Sequence, residues 1–579
     1  MVPGTRGNVL SVRAEPYRHG TLLVEVIWES RRPVYSGAQR NGNVGAPVAS
    51  ANGVPRFLWR AVMGCRLVVR LLLPCVLLLA SVGCGSDGEP PGAVVADAAR
   101  SEDVCASPAF RGFGFDRYGG WKGIRVPATG RFRVEAVRGV WWFITPEGHV
   151  LFSAGVTGVD PVGDFVRGTN ESPYLANVLR KHGSVQAWAD STTQRLCSLG
   201  FRVLGGWMGS DDLDLFAERF PYTVNIDVYD TLPAVRGGPP SLRSRRDAFA
   251  PDALDRARTA VQDGTLAARC ARDAWCVGVY VENEVPYAPS LLAGGGHLDA
   301  YLAQTAGSPG KRAVEEFFRQ RYSNDVAAFN RVWGTQLQDF AELQQRTFLG
   351  NCPATLGLED DLCVLGEPAE RRADRFAFEA LVAGRVAQLA SAVLQERGPG
   401  VLNLGPRLVV GPFSADVVRA LAAPVDVLST NNYDIAAYAR SVLPQGIDER
   451  LEALGFTAID PFARLDDFWR LTGKPVLITE WFYRRARPEG SYPPVLPEVQ
   501  DGEAQAAAFR AYMDRILARP FVLGAHWFQW VDQPKEGRRD GENQLIGVVD
   551  IEDNLNEPLA SAMASVHRSI LERRLALQH

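Results

Sequence analysis

Two stretches of the chain end an apolar run in acidic side chains. Residues 277–287 read VGVYVENEVPY and residues 474–483 read KPVLITEWFY. In the first, a run suited to a strand covered on both faces stops at Glu282, Asn283 and Glu284; in the second it stops at Glu480. Carboxylates in such surroundings are costly unless something uses them. One use is cleavage of a glycosidic bond with retention. That reaction needs one carboxyl group to protonate the leaving oxygen and another, about 5–5.5 Å away, to attack the anomeric carbon. Glu284 and Glu480 suit those roles, the first protonated beside a negative neighbour and the second ionised. Glu282 and Glu284 share one parity along the strand, so alternation alone does not say which is the acid.

For residues 196 positions apart to meet, the elements must bring strand ends to one place. Eight apolar runs occur: HVLFSAGV (149–156), GFRVLGGW (200–207), YTVNIDVY (222–229), CVGVYVENE (276–284), RLVVGPFS (407–414), VDVLSTNNYD (425–434), KPVLITEWFY (474–483) and FVLGAHWFQW (521–530). Amphipathic stretches such as SVQAWADSTTQRLCSLG lie between several of them. Apolar strands alternating with helices predict an α/β fold with a parallel sheet, and eight strands close a (β/α)8 TIM barrel over residues 149–575. A doubly wound open sheet is the competing architecture, but no GxGxxG or GxxxxGK[ST] follows any run. Polar residues gather at the C-terminal ends of the runs, including Asn431, Asn432, Tyr433 and Asp434 on the sixth and Trp527, Gln529 and Asp532 on the eighth. In a barrel these ends share the face where chemistry is done. Aromatic and β-branched segments broken by Gly and Pro predict a small N-terminal β appendage over residues 108–148.

The remaining features bound location and partners. The chain has 579 residues, 46% hydrophobic and 22% charged, with a net charge of -4. Residues 1–83 hold ten Arg against three Glu, so the rest is acidic, which speaks against a nucleic-acid partner. Arg66 and Arg70 precede the apolar stretch Leu71–Val82, which suits the core of a secretory signal and is short for a bilayer span. Residues 63–84 are similar to a bacterial lipoprotein signal, which implies acylation at Cys84, a membrane anchor there, and a periplasmic or outer-membrane location. Residues 1–62 are expected to precede the true start, Met63, and residues 85–107 to form a linker. Apart from Cys65, Cys75 and Cys84, six cysteines remain, an even number compatible with disulfides after export. Cys270 with Cys276, and Cys352 with Cys363, are the close pairs, although six cysteines allow fifteen connectivities. No CxxC or His-x-His spacing calls for a metal, and no cofactor is expected.

VENE at the fourth run and PVLITEW at the seventh resemble the signature of the clan A glycoside hydrolases, above all the family 42 β-galactosidases and family 50 β-agarases. EEFFRQRYSNDVAAFNRVWGTQLQDFAEL (315–343), WWFITPEGHVLFSAGV, GAHWFQWVDQP and GENQLIGVVD are similar to segments of those families in the same order. The resemblance implies Glu284 as acid/base, Glu480 as nucleophile, Asn283 as donor to the sugar 2-hydroxyl and Tyr433 as hydrogen-bond partner of the nucleophile. It further implies Trp527 as the platform under the sugar ring, Arg202 and Trp207 as sugar contacts near strand two, and Glu282 as a supporting carboxylate. The expected activity is retaining hydrolysis of a β-linked, galactose-containing oligo- or polysaccharide. A carbohydrate-binding surface lipoprotein without turnover is the alternative, disfavoured because both carboxylates are present.

Overall fold

The computed structural model describes residues 114–235, 245–285, 287, 296–350, 366–409, 411–442 and 445–578, with the backbone of 9–16 and 22–29. The expected leader, Cys84, Cys352 and Cys363 lie outside the described residues.

Eight parallel staves close on themselves. In chain order they are Ser153–Val156, Val203–Leu204, Tyr222–Asn225, Cys276–Tyr280 continued by Glu282–Asn283, Pro406–Leu408, Leu428–Asn431, Val476–Trp481 and Val522–Trp527. Each pairs in register with the next, for example Asn431 with Glu480 and Trp481 with Trp527. The eighth returns to the first, with Trp527 opposite Val156, so the sheet has no edge. The fold is the (β/α)8 TIM barrel expected, and not the competing open sheet, because the eighth stave returns to the first. The staves read as unbroken apolar runs because both of their faces are covered: Val476–Trp481 and Val522–Trp527 are buried at every position.

Helices cover the outside, and their ends are written in the sequence. Ser172 accepts from the Leu175 N–H at the start of Pro173–His182, and Gly183, at φ 76°, ends that helix in the left-handed region. Asp501 caps Gly502–Leu517 in the same way. The insertion after the fourth stave packs Phe318, Phe329 and Trp333 into an aromatic cluster. It is tied to the long helix Ala369–Arg397 through Asp374, which accepts from Tyr322 and Trp333.

The N-terminal appendage is a four-stranded antiparallel sheet of Trp121–Arg125, Arg133–Val137, Val140–Ile144 and His149–Leu151. Residues 149–151 therefore belong to this sheet and only 153–156 to the first stave, because the chain passes from one sheet into the other at Phe152. Cys270 is bonded to Cys276, fastening the helix Leu266–Arg272 to the start of the fourth stave.

Candidate active site

The C-terminal ends of the staves place Glu284, Asn431, Tyr433, Glu480, Arg407 and Trp207 at one mouth. Glu480 lies in the seventh stave, pointing inward because its neighbour Trp481 faces the helices, where it stacks on Tyr512 with centroids 4.0 Å apart. Its carboxylate is nearly buried and takes three donors. Oε1 accepts from Trp207 Nε1 at 2.5 Å and Arg407 Nη2 at 2.6 Å, and Oε2 accepts from the Tyr433 hydroxyl at 2.6 Å. Each carboxylate oxygen offers two lone pairs. Oε1 is thus saturated, whereas Oε2 keeps one lone pair for a reacting atom.

Glu284 follows the fourth stave with φ 53°, a left-handed backbone that costs a side-chain-bearing residue energy and turns its carboxyl into the mouth. Its N–H donates to the Arg407 carbonyl, and Oε1 accepts from Asn431 Nδ2 at 2.9 Å. Asn431 stands opposite Glu480 in the register and its Oδ1 accepts from Thr479, so one amide, fixed from the seventh stave, positions the carboxyl of the fourth. Burial, and next the charge of Glu480, push Glu284 up to about 7, against the opposing pull of the Asn431 bond and Arg407. Asn283 accepts from the same Asn431 amide at 3.3 Å, leaving its own NH₂ without a partner among the described residues.

Other expected residues fall elsewhere. Glu282 does not reach the pair. It accepts the Tyr229 N–H at 2.7 Å, where the chain leaves the third stave, and burial with the nearby Asp227 raises it well above the usual carboxylate range. Trp527 is not a platform. It faces the helix layer, 1% exposed, with its Nε1 donating to the Ile546 carbonyl and its ring edge-on to Trp481. The aromatic rings next to Tyr433 are instead Phe482, at 4.9 Å, and Phe528 stacked behind it. Arg202 is not a sugar contact either. It precedes the second stave and so lies at the opposite end of the barrel. There its guanidinium covers Phe115 at 4.0 Å and lines a cavity of about 50 Å³ against the appendage. Burial lowers it to about 10. Trp207, by contrast, is in the mouth, 38% exposed, at φ 72°.

Three contributors escaped the sequence reading. Arg407 is fully buried in the fifth stave, and its guanidinium crosses the barrel to Glu480. Asn225 ends the third stave beside it. Glu542 sits on the loop after the eighth stave, where its Oε2 accepts from Arg538 and Gln533. Its charge acts on Glu284 and Tyr433, and burial, then Asp540, push it up to about 7 despite Arg538. Below this layer His526 points inward, bonded to Ser153 at 2.8 Å; burial and Arg407 lower it to about 3, so its ring is neutral.

Comparison with known proteins agrees with this architecture. No family model matches the chain. Beta-agarase B of Vibrio sp. (strain JT0107) is 24% identical over 515 residues, covering 78% of this chain and 50% of the relative. Beta-agarase A of the same strain is 29% identical over 423 residues, covering 70% and 38%. The chain thus spans half or less of the length of these curated relatives. Among solved structures, the agarase AgWH50C superposes with a TM-score of 0.63 at 23% identity, covering 84% of this chain and 72% of that one. PfGH50B gives 0.63 at 22%, covering 84% and 73%. In sequence the chain therefore resembles β-agarases, and it has the (β/α)8 fold of the family 50 structures.

Proposed function

We propose that the chain is a retaining glycoside hydrolase that cleaves a β-linked, galactose-containing polysaccharide of the agarose type. The observation that carries this reading is the pairing, at one barrel mouth, of Glu284, its carboxyl pushed up to about 7, with Glu480, held by three donors, while Asn431 bonds the first and stands opposite the second in the strand register. Glu480 Oε2 attacks the anomeric carbon with its free lone pair while Glu284 gives its proton to the leaving oxygen. The covalent ester removes the charge of Glu480, so Glu284, now ionised, takes a proton from water as that water attacks, and the starting state returns. Asn283 donates to the sugar 2-hydroxyl. The agarase likenesses support agarose as the first substrate to try.

The test is release of reducing ends from agarose and from a panel of other β-linked polysaccharides and nitrophenyl glycosides. Glu480→Gln is expected to lower turnover at least about 10³-fold with unchanged circular dichroism; wild-type turnover in that variant would reject the assignment. We further propose export and lipid anchoring at Cys84, supported by the apolar run after Arg66 and Arg70. Incorporation of labelled palmitate that is lost in Cys84→Ser checks it.

A further inference from the structure

Beside Glu480, two side chains carry buried polar atoms that find no partner among the described residues. Among the described residues neither Nδ2 nor Oδ1 of Asn225 has a hydrogen-bond partner, and both atoms are shut off from solvent. Arg407 spends Nη2 on Glu480 and the Thr479 carbonyl, while Nε and Nη1 have no partner among the described residues. The two groups lie side by side. A methyl added at Gly206 would come within 2.6 Å of Asn225 Oδ1 and 3.6 Å of Arg407 Nη1, so both face the bare flank of that glycine. Folded chains satisfy almost all buried polar groups, and a cluster of exceptions next to a reactive carboxylate calls for a ligand.

The layer over these groups is Trp207, the residue after Gly206. Its ring centre is 4.8 Å from the Arg407 guanidinium, it is exposed, and its backbone occupies the left-handed region that side-chain-bearing residues avoid. Its Nε1 also fills a lone pair of Glu480 Oε1.

We propose that Asn225 and the free edge of Arg407 form a hydroxyl-binding fork for the sugar ring that docks on Glu480, uncovered when the Trp207 indole lifts. The inference rests on the glycosidase reading above and adds the chemistry of that subsite. Asn225 both donates and accepts, whereas Arg407 only donates. The pair therefore suits two neighbouring hydroxyls of a neutral sugar. An acidic or sulfated substituent would suit Arg407 but, carrying no donor, would leave the Asn225 acceptor unused.

The experiment measures binding of a neutral agarose hexasaccharide by calorimetry in the Glu284→Gln background. Adding Asn225→Ala, or Gly206→Ala, which pushes the amide aside without removing it, is expected to weaken binding at least tenfold. Asn225→Ser serves if the alanine variant does not fold. Binding within twofold of Glu284→Gln alone in these variants overturns the fork and leaves ordered water as its only occupant. Normal turnover by Glu284→Gln, or its failure to bind any β-linked oligosaccharide, overturns instead the reading on which the fork rests, and the fork with it.

Discussion

In the proposed mechanism Glu284 carries the most exacting requirement, because it must be protonated when substrate binds. With its carboxyl pushed up to about 7, the acid form predominates below that value and is lost as pH rises through it. The activity, measured as kcat/KM, is therefore expected to fall on the alkaline side with an apparent pKa near 7. The groups facing Glu284 are Glu480 from the seventh stave, Arg407 from the fifth, Asn431 from the sixth and Glu542 from the loop after the eighth. An ionised Glu542 disfavours the charged form of Glu284, so Glu542→Gln is expected to move the alkaline limb to lower pH. A limb that stays in place or moves upward in a pH-rate profile would contradict this arrangement. Arg407→Ala removes the cation from a carboxylate that is nearly buried, and kcat is expected to fall about 10²–10³-fold, in line with other losses of charge stabilisation in closed sites. The two glutamates were legible because a carboxylate at the end of an apolar run is conspicuous. Arg407 and Asn225 were not, since a single polar residue within a short strand gives no sign of what it reaches across the barrel.

At the scale of elements, alternation explains both what was read correctly and what was not. The segments Glu480-Trp481-Phe482 and His526-Trp527-Phe528 repeat one pattern, and the register pairs Trp481 with Trp527. Both indoles therefore face the helices, and His526 takes the inward place that Glu480 has on the seventh stave. The platform role expected of Trp527 overlooked this parity. Arg202 was misplaced for a different reason: the second stave is only Val203–Leu204, so an arginine before it belongs to the far end of the barrel. The arginines of RRARPEG (484–490) bolt two loops together. Arg484 is buried on Glu498 and Gln544, and Arg485 pairs with Asp532. Close strand contact makes Gly524 irreplaceable, since a methyl there would lie 2.3 Å from the Ser153 carbonyl oxygen of the first stave. Gly524→Ala is expected to destabilise by about 2 kcal/mol or more, seen as a lower denaturation midpoint. The Cys270–Cys276 bond joins positions only six apart in sequence, and its loss through Cys270→Ser is expected to cost about 2 kcal/mol while leaving kcat unchanged.

For the molecule as a whole, the apolar runs were enough to anticipate a parallel sheet covered on both faces, which an open doubly wound sheet and a closed barrel share; closure itself is seen in the pairing of the eighth stave with the first. The exact staves were shorter than the runs, and the first run was shared with the appendage sheet, since hydrophobicity marks burial and not the point where one sheet hands over to the next. What the closed barrel accomplishes is to bring the fourth and seventh stave ends to one mouth, where the proposed mechanism assigns Glu284 and Glu480 separate roles. Azide distinguishes those roles directly. With a nitrophenyl β-glycoside, Glu284→Ala plus azide is expected to yield the β-glycosyl azide, because azide replaces the water that opens the covalent intermediate. Glu480→Ala plus azide is expected to yield the α-glycosyl azide, because azide replaces the nucleophile itself. Products of the opposite configuration, or azide leaving both variants equally inert while the wild-type enzyme turns the substrate over, would contradict the assignment.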